Sequence, residues 1–360
     1  MRVLQVDSGR EWRGGQNQVR LLCRELRREP EVELQLATRW RSRLAQRAAA
    51  DGVRVRGLPW LLSLDPISAL RLRSVMAGFQ PDIIHTHDSH ALRLAVGAHK
   101  RTDWDRTPPP IVATRRVDFS VRPGQVKRLL VGPSPWTRIT HVIAISDAVK
   151  AVLVDDGLSP REVTVVPSGI DPDEVRQNAT RPLDIRRRLG LPPGTPLAAN
   201  VAALVDHKDQ RTLVRAAAQS RAAMPDLHWV IAGEGPLRGS LAAEIARLEL
   251  RDRVHLLGYI EEADSLIREA DVFVMSSREE GLGSVILNAL ALDKPVVATA
   301  GGGIPEILPA DVLVPVGDAD RLARKVVEVV AHPPSPRPLP ARFTARAMAH
   351  GVLAVYRSLL

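Results

Sequence analysis

Short apolar runs alternate with longer amphipathic stretches along the whole chain, and that alternation predicts a strand–helix repeat. Residues 1–8, 32–38, 53–56 and 82–85 read as strands, with helices over about 17–28, 42–50, 67–79 and 91–99. Further strands follow at 111–113, 140–145 and 163–166, and Ser146 is placed to cap a helix running to about Asp155. The second half repeats the scheme. Strands are expected at 197–204, 228–232, 254–257, 271–275 and 296–300, helices over about 210–224 and 284–292, and a last amphipathic helix over about 345–359. Such alternation implies parallel sheets covered on both faces, and in such sheets ligands bind beyond the carboxyl ends of the strands.

The stretch from Asp271 to Glu306 organises the second half. A buried strand leads into the polar loop Ser276-Ser277-Arg278-Glu279-Glu280, then Gly281-Leu282-Gly283, then a helix opening at Ser284. After the Asp293-Lys294-Pro295 turn, a second strand leads to Gly301–Gly303 and the short segment Ile304-Pro305-Glu306. Two strand–loop–helix units therefore lie in succession, each offering backbone amides at a helix N-terminus, a site suited to phosphate. Glu280 stands just ahead of the helix, and Asn288 is the only polar residue between Val285 and Leu292. Ser284 and Asn288, four apart, share a helix face. Two readings stay open here: a core amide with a capping carboxylate, or a pair of ligand contacts.

Composition narrows the class. With 360 residues the chain suits two domains, and 45% hydrophobic and 25% charged residues are ordinary for a soluble globular protein. No apolar run reaches membrane-spanning length and the start lacks a signal-peptide layout, so a cytoplasmic protein is expected. The one cysteine, Cys23, lies on the apolar side of its helix and reads as core. The net charge of +9 comes with only six lysines among fifty basic residues, and the arginines are scattered rather than interleaved with aromatics. Nucleic-acid binding is not favoured.

Other polar positions sit at strand ends. Gly14 and Gly15 fall between the first strand and the first helix, where they suit either a plain tight turn or the approach of an anion or sugar. The cluster His85-Thr86-His87-Asp88-Ser89-His90 ends the fourth strand. It could bind a metal, or its aspartate could cap the next helix while the histidines form hydrogen bonds; no second histidine or aspartate cluster elsewhere supplies further ligands. Gly233-Glu234-Gly235 is a lone Gly-x-Gly with no third glycine to complete a dinucleotide fingerprint. Residues 120–138 are basic and broken by proline and glycine, and read as a solvated connection or an acceptor-side surface.

Taken together, these motifs resemble the family 4 (group 1) glycosyltransferases. The segment Glu280-Gly281-Leu282-Gly283, the Asp-Lys-Pro-Val-Val strand at 293–297 and Gly302-Gly303-Ile304-Pro305-Glu306 follow the family's donor-binding pattern. The departures are Asn288, where the family carries an acid, Ala203, where it often has an arginine, and Ser168 in the Asn-Gly-Ile-Asp hinge. The resemblance implies a GT-B fold: two Rossmann-like α/β domains facing each other across a cleft, with a C-terminal helix crossing back to the first. The expected division is 1–167 plus 342–360 for the acceptor side and 168–341 for the donor side.

By the same resemblance, Glu280 and His87 are the catalytic residues, on opposite walls of the cleft. Donor binding falls to Lys208, Asn288, Gly14, Gly15, Gly233, Gly281, Leu282, Gly283 and Ser284, and acceptor contacts to Arg115 and Arg116. Asn288 stands for the carboxylate that meets the donor ribose, so Asp or Glu at this position is expected to be tolerated. The implied reaction is retaining transfer from a nucleotide-diphosphate sugar to a glycan or lipid-linked acceptor in envelope biosynthesis. A peripheral contact with an anionic membrane surface is compatible with it. No cofactor and no metal are expected. Asp171-Pro172-Asp173 has the letters of a cation site but lies at the hinge, so Lys208 and helix amides would stabilise the leaving diphosphate. The rival readings are a catalytically weak nucleotide-sugar binder, an epimerase of the same fold, and a metallohydrolase built on His85, His87, Asp88 and His90.

Overall fold

The structure, a computed structural model, describes residues 1–60, 65–105, 107–116 and 138–360. The chain forms two compact units, Met1–Gly169 with Arg342–Leu360, and Ile170–Ala341. The division thus falls after Gly169, two residues beyond the expected boundary at 167.

In unit 1 the elements run β1 Arg2–Asp7, α1 Gly14–Leu26, β2 Glu33–Arg39, α2 Arg43–Ala50, β3 Arg54–Leu58, α3 Pro66–Phe79, β4 Ile83–Thr86, α4 Ser89–His99 and β5 Ile111–Arg115. They continue with β6 His141–Ala144, α5 Asp147–Asp155 and β7 Val163–Val165. The sheet is parallel, in the order β3-β2-β1-β4-β5-β6-β7. In β1, Val3 points into a core shared with α1 and α2, while Leu4 and Val6 point into the core formed with α3 and α4. Successive side chains face opposite ways on a strand, so an uninterrupted apolar run demands helices on both faces.

Unit 2 contains α6 Pro172–Asn178, α7 Ile185–Arg188, β8 Leu197–Val201, α8 Gln210–Ser220, β9 His228–Ala232, α9 Arg238–Arg247 and β10 Val254–Gly258. It continues with α10 Ala263–Glu269, β11 Val272–Met275, α11 Ser284–Ala291, β12 Val296–Thr299, β13 Leu313–Val314 and α12 Ala319–Ala331. Its parallel sheet has the order β10-β9-β8-β11-β12-β13. The last helix, α13 Ala345–Leu359, returns to unit 1, where Met348, Val352 and Tyr356 are buried in the core with Val19, Leu22 and Cys23 of α1.

In each sheet the strand order reverses once, between β1 and β4 in unit 1 and between β8 and β11 in unit 2. At such a switch point the two neighbouring crossovers leave in opposite directions and open a crevice at the carboxyl ends of the strands. The polar loops singled out in the sequence stand at these points.

Candidate active site

In unit 2 the loops after β8 and β11 are tied together. Lys208 ends a single turn, Asp206–Lys208, after which Asp209 takes a left-handed conformation with φ 45° and caps α8. The Asp209 carboxylate accepts from Thr212 Oγ1 at 2.7 Å and from Arg278 Nε at 2.8 Å. Ser276 Oγ donates to the Lys208 carbonyl at 3.0 Å, and Arg278 N donates to the His207 carbonyl at 2.8 Å. Lys208 is therefore fixed by the loop that carries Glu280. Its ammonium forms an ion pair with Glu280 Oε2, which also accepts from Ser277 Oγ at 3.2 Å. The two side chains keep 17% and 13% of their surface in water. They form a partly sheltered pair that a polar ligand can still reach.

The glycines beside the pair serve different ends. Gly283 precedes α11 with φ 85°, a conformation that costs a side-chain-bearing residue about 1–2 kcal/mol. It leaves the first turn of α11 with no side-chain cap and no acidic residue, which suits an anion. Gly233 has a packing role. With φ 147°, a Cβ there would lie 1.8 Å from the Ala202 carbonyl oxygen, so the close approach of the loops after β8 and β9 requires glycine. β8 itself ends at Val201, short of the expected Leu204.

Unit 1 presents a buried hydrogen-bond chain at its switch point. Gln5 Oε1 can only accept, so the 2.6 Å contact with His87 Nε2 places the proton on that nitrogen. Gln5 Nε2 donates to the Tyr356 hydroxyl at 2.8 Å, leaving Tyr356 to donate to His85 Nδ1 at 2.6 Å. His85 Nε2 then donates to Thr114 Oγ1 at 2.6 Å. Arg116 closes the chain, donating from Nη2 to His87 Nδ1 at 3.2 Å and from Nη1 to the His87 carbonyl at 3.3 Å. Burial, with Arg116 beside it, brings His85 down to about 3. Burial first, then His85 and Arg116, hold His87 well below the usual histidine range. Both rings are neutral. Burial, reinforced by Asp88, raises Asp7 to about 6, and burial lowers Arg116 to about 10 against the pull of Asp7 and Asp88.

These contacts revise several sequence expectations. His87 is 6% exposed and turns its ring inward, both nitrogens engaged, so it offers no free base. Asp88 is a cap: it accepts from Ser8 N and Oγ and from the amides of His90 and Ala91. His85 is buried and His90 exposed, and no group of metal-ligating side chains converges among the described residues. Gly14 and Gly15 lie in the first turn of α1 rather than in the preceding loop, without positive φ. A Cβ on Gly15 would stand 4.0 Å from Arg116 Cδ. Arg115 is buried in β5 and Arg116 follows just past its end. Leu282 is 1% exposed, so any ligand contact there is through its backbone. Asn288 is half-buried, and its Nδ2 donates to Asp264 Oδ1 at 2.7 Å. Residues 120–137 lie outside the described residues. The contributions of Asp264, Ser277, Gln5 and Tyr356 were not read from sequence.

Two parallel, doubly wound α/β units, each with polar loops at its switch point, define the GT-B class of fold. The HepE protein of Anabaena, solved in complex with UDP and glucose, matches with a TM-score of 0.82 at 18% identity over 100% of both chains. The Glycosyl transferases group 1 family matches residues 183–349, and Glycosyltransferase Family 4 matches residues 12–174. A 2-deoxystreptamine glucosyltransferase of Streptomyces kanamyceticus is 28% identical over 81% of this chain and 71% of its own length. A GDP-mannose-dependent phosphatidylinositol monomannoside mannosyltransferase of Corynebacterium glutamicum is 35% identical over 47% of each chain. The chain belongs to the family 4, group 1 glycosyltransferases and is a transferase enzyme. Among the described residues, no helix is long and apolar enough to cross a membrane.

Proposed function

We propose that the protein transfers a sugar, with retention of configuration, from a nucleotide-diphosphate sugar to a hydroxyl of a glycan or lipid-linked acceptor of the cell envelope. The observation that carries this reading is the Lys208–Glu280 pair beside the uncapped first turn of α11. A bound diphosphate draws Lys208 away from Glu280 and takes the first-turn amides of α11, so charge building on the leaving group meets donors already in place. Glu280, held by Ser277, is freed to accept from hydroxyls of the transferred sugar. The bond from the anomeric carbon to the diphosphate breaks as the bond to the acceptor oxygen forms. The acceptor's proton passes to the departing phosphate oxygen. No metal is required for this charge balance, and activity is expected to persist in EDTA.

In unit 1 the neutral His87, with its one ring proton held on Nε2 by Gln5, takes no part in proton transfer. It holds Arg116, whose Nε has no partner among the described residues, in place as an acceptor-side contact. Relatives and structural neighbours whose names specify UDP or GDP-mannose support a nucleotide-sugar donor. Incubation with UDP-, GDP- and ADP-sugars in EDTA tests the reading. Release of free nucleoside diphosphate from one of them, faster with a glycan acceptor, is expected. Release from none, or release that needs a divalent ion, contradicts it.

A further inference from the structure

The sheet of unit 1 changes character along the face covered by α3. Towards the carboxyl ends of β1, β2 and β3 this face is apolar, with Leu4, Val6, Ala37 and Leu58 in one core with Leu72 and Met76 of α3. Towards their amino ends it is polar. Side chains two apart share a strand face, so Arg2 continues the row of Leu4 and Val6, Gln35 that of Ala37, and Arg54 and Arg56 that of Leu58. The register sets Gln35 beside Leu4 on one side and Arg54 on the other. Ser74, Val75, Gly78 and Phe79 of α3 stand over these side chains and leave a recess of about 370 Å³, a size that suits a small molecule. It lies at the amino ends of the strands, the opposite end of the sheet from the switch point.

The recess is lined chiefly by donors. Gln35 is 2% exposed, and its Oε1 accepts from Arg56 Nε at 2.8 Å. Arginine only donates, so the amide is fixed with Nε2 as its donor, and that nitrogen has no partner among the described residues. Arg2 Nη1 donates to the Phe79 carbonyl at 2.9 Å, which covers the negative end of α3 with a guanidinium. Arg54 lies 3.9 Å from Glu33, the one acid of the lining, too far for a hydrogen bond. Edge strands carry charge that prevents pairing, which accounts for Arg54 and Arg56 on the edge strand β3. It does not account for Arg2 on β1, or for a buried amide on β2 whose donor is unused. Three guanidiniums and an amide offer more hydrogens than the roughly four acceptor positions of a carboxylate. A phosphate, with three strongly accepting oxygens and about two charges, matches them better.

We propose that this recess is an anion site that takes the phosphate group of a soluble phosphorylated small molecule. Arg2, Arg56 and Gln35 hold the phosphate, while Glu33 and Ser74, both exposed at the rim, meet hydroxyls on the rest of the molecule. The site is separate from the one assigned to Lys208, and it stands whether or not that assignment holds.

Calorimetry with inorganic pyrophosphate tests it on the intact protein carrying Lys208→Ala, which removes the cation assigned to the diphosphate in unit 2. Binding to this protein is expected, and adding Arg56→Gln should weaken it about tenfold or more. Removing an exposed arginine elsewhere, by Arg324→Gln, should leave it unchanged. Gln35→Leu should also weaken binding, about tenfold, because it deletes the open donor and releases Arg56. If Arg56→Gln does not fold, Arg54→Gln, at an exposed position, takes its place. No binding to the Lys208→Ala protein, or equal affinity with and without Arg56→Gln, overturns the proposal. Citrate bound as tightly as pyrophosphate overturns the assignment to phosphate. Retention on phosphatidylglycerol vesicles that Arg56→Gln abolishes, without binding of pyrophosphate, overturns the soluble ligand in favour of a lipid headgroup.

Discussion

At the switch point of unit 1 the polar side chains turn inward. Gln5, His85 and Tyr356 are fully buried, the side-chain nitrogens and oxygens of Gln5, His85, His87 and Tyr356 are matched, and both histidines stay neutral. At the switch point of unit 2 Lys208 and Glu280 form an ion pair that is still partly exposed to water. The first six strands follow the same order in both sheets, and the electrostatics are opposite. Matched neutral chains contribute rigidity, because breaking them strands buried polar atoms. A sheltered ion pair beside an uncapped helix is exchangeable for an anion, because a ligand can replace each partner's charge. The polar network of unit 1 is thus built for rigidity, and that of unit 2 for exchange.

The largest expected effect separates the two halves. Glu280→Gln should lower transfer by about 10²–10³-fold with little change in melting temperature, since it removes one charge at a loop. Near-wild-type turnover would remove Glu280 from the chemistry. Gly233→Ala is expected to cost about 3 kcal/mol of stability, because a Cβ there meets the Ala202 carbonyl at 1.8 Å and φ is positive. A denaturant titration reads it, and an unchanged midpoint would mean the loops after β8 and β9 are not packed as described.

Tyr356→Phe sharpens the contrast from the other side. It strands Gln5 Nε2 and His85 Nδ1, and should cost about 1–3 kcal/mol while leaving nucleoside diphosphate affinity untouched. Lost affinity without lost stability would mean that unit 1 also binds the nucleotide.

The neutral histidines predict a pH dependence. Their pKa values in the folded protein lie below the unfolded value, so the unfolded chain binds protons first as pH falls. Their contribution to stability is complete above about 6.5 and is lost as pH drops through the folded value, about 3 for His85. The slope is about 1.4 kcal/mol per pH unit for each ring. Asp7, raised to about 6, acts in the opposite sense, favouring the fold below its unfolded value and losing that contribution as pH rises through about 6. Melting curves between pH 7 and 5 should therefore show a shallower acid dependence in His85→Gln than in wild type. Identical slopes would mean that His85 titrates normally.

The strand–helix repeat was legible in the sequence because buried parallel strands are apolar on both faces and short. Glu280, Gly283 and the start of α11 were legible because the residues of one strand–loop–helix unit are neighbours in sequence. What was not legible was held by distant partners. Asp264 meets Asn288 across 24 positions and Asn178 across 86, and His85 meets Tyr356 across 271. No periodicity marks such pairs. Position 288 alone could read as either a core amide or a ligand contact, and only its partner shows that the amide has a fixed direction. His87 was found at the expected strand end, but the direction of its ring depends on Gln5, which the pattern of β1 presents as one more buried position.

The central claim is that Lys208 exchanges Glu280 for a diphosphate. Calorimetric titration of wild type and Lys208→Ala with UDP and GDP, both in EDTA, tests it most directly. The account predicts that at least one nucleotide binds the wild type without metal, that Lys208→Ala binds it about tenfold more weakly or worse, and that the melting temperature hardly moves. Equal affinity in the two proteins would contradict it.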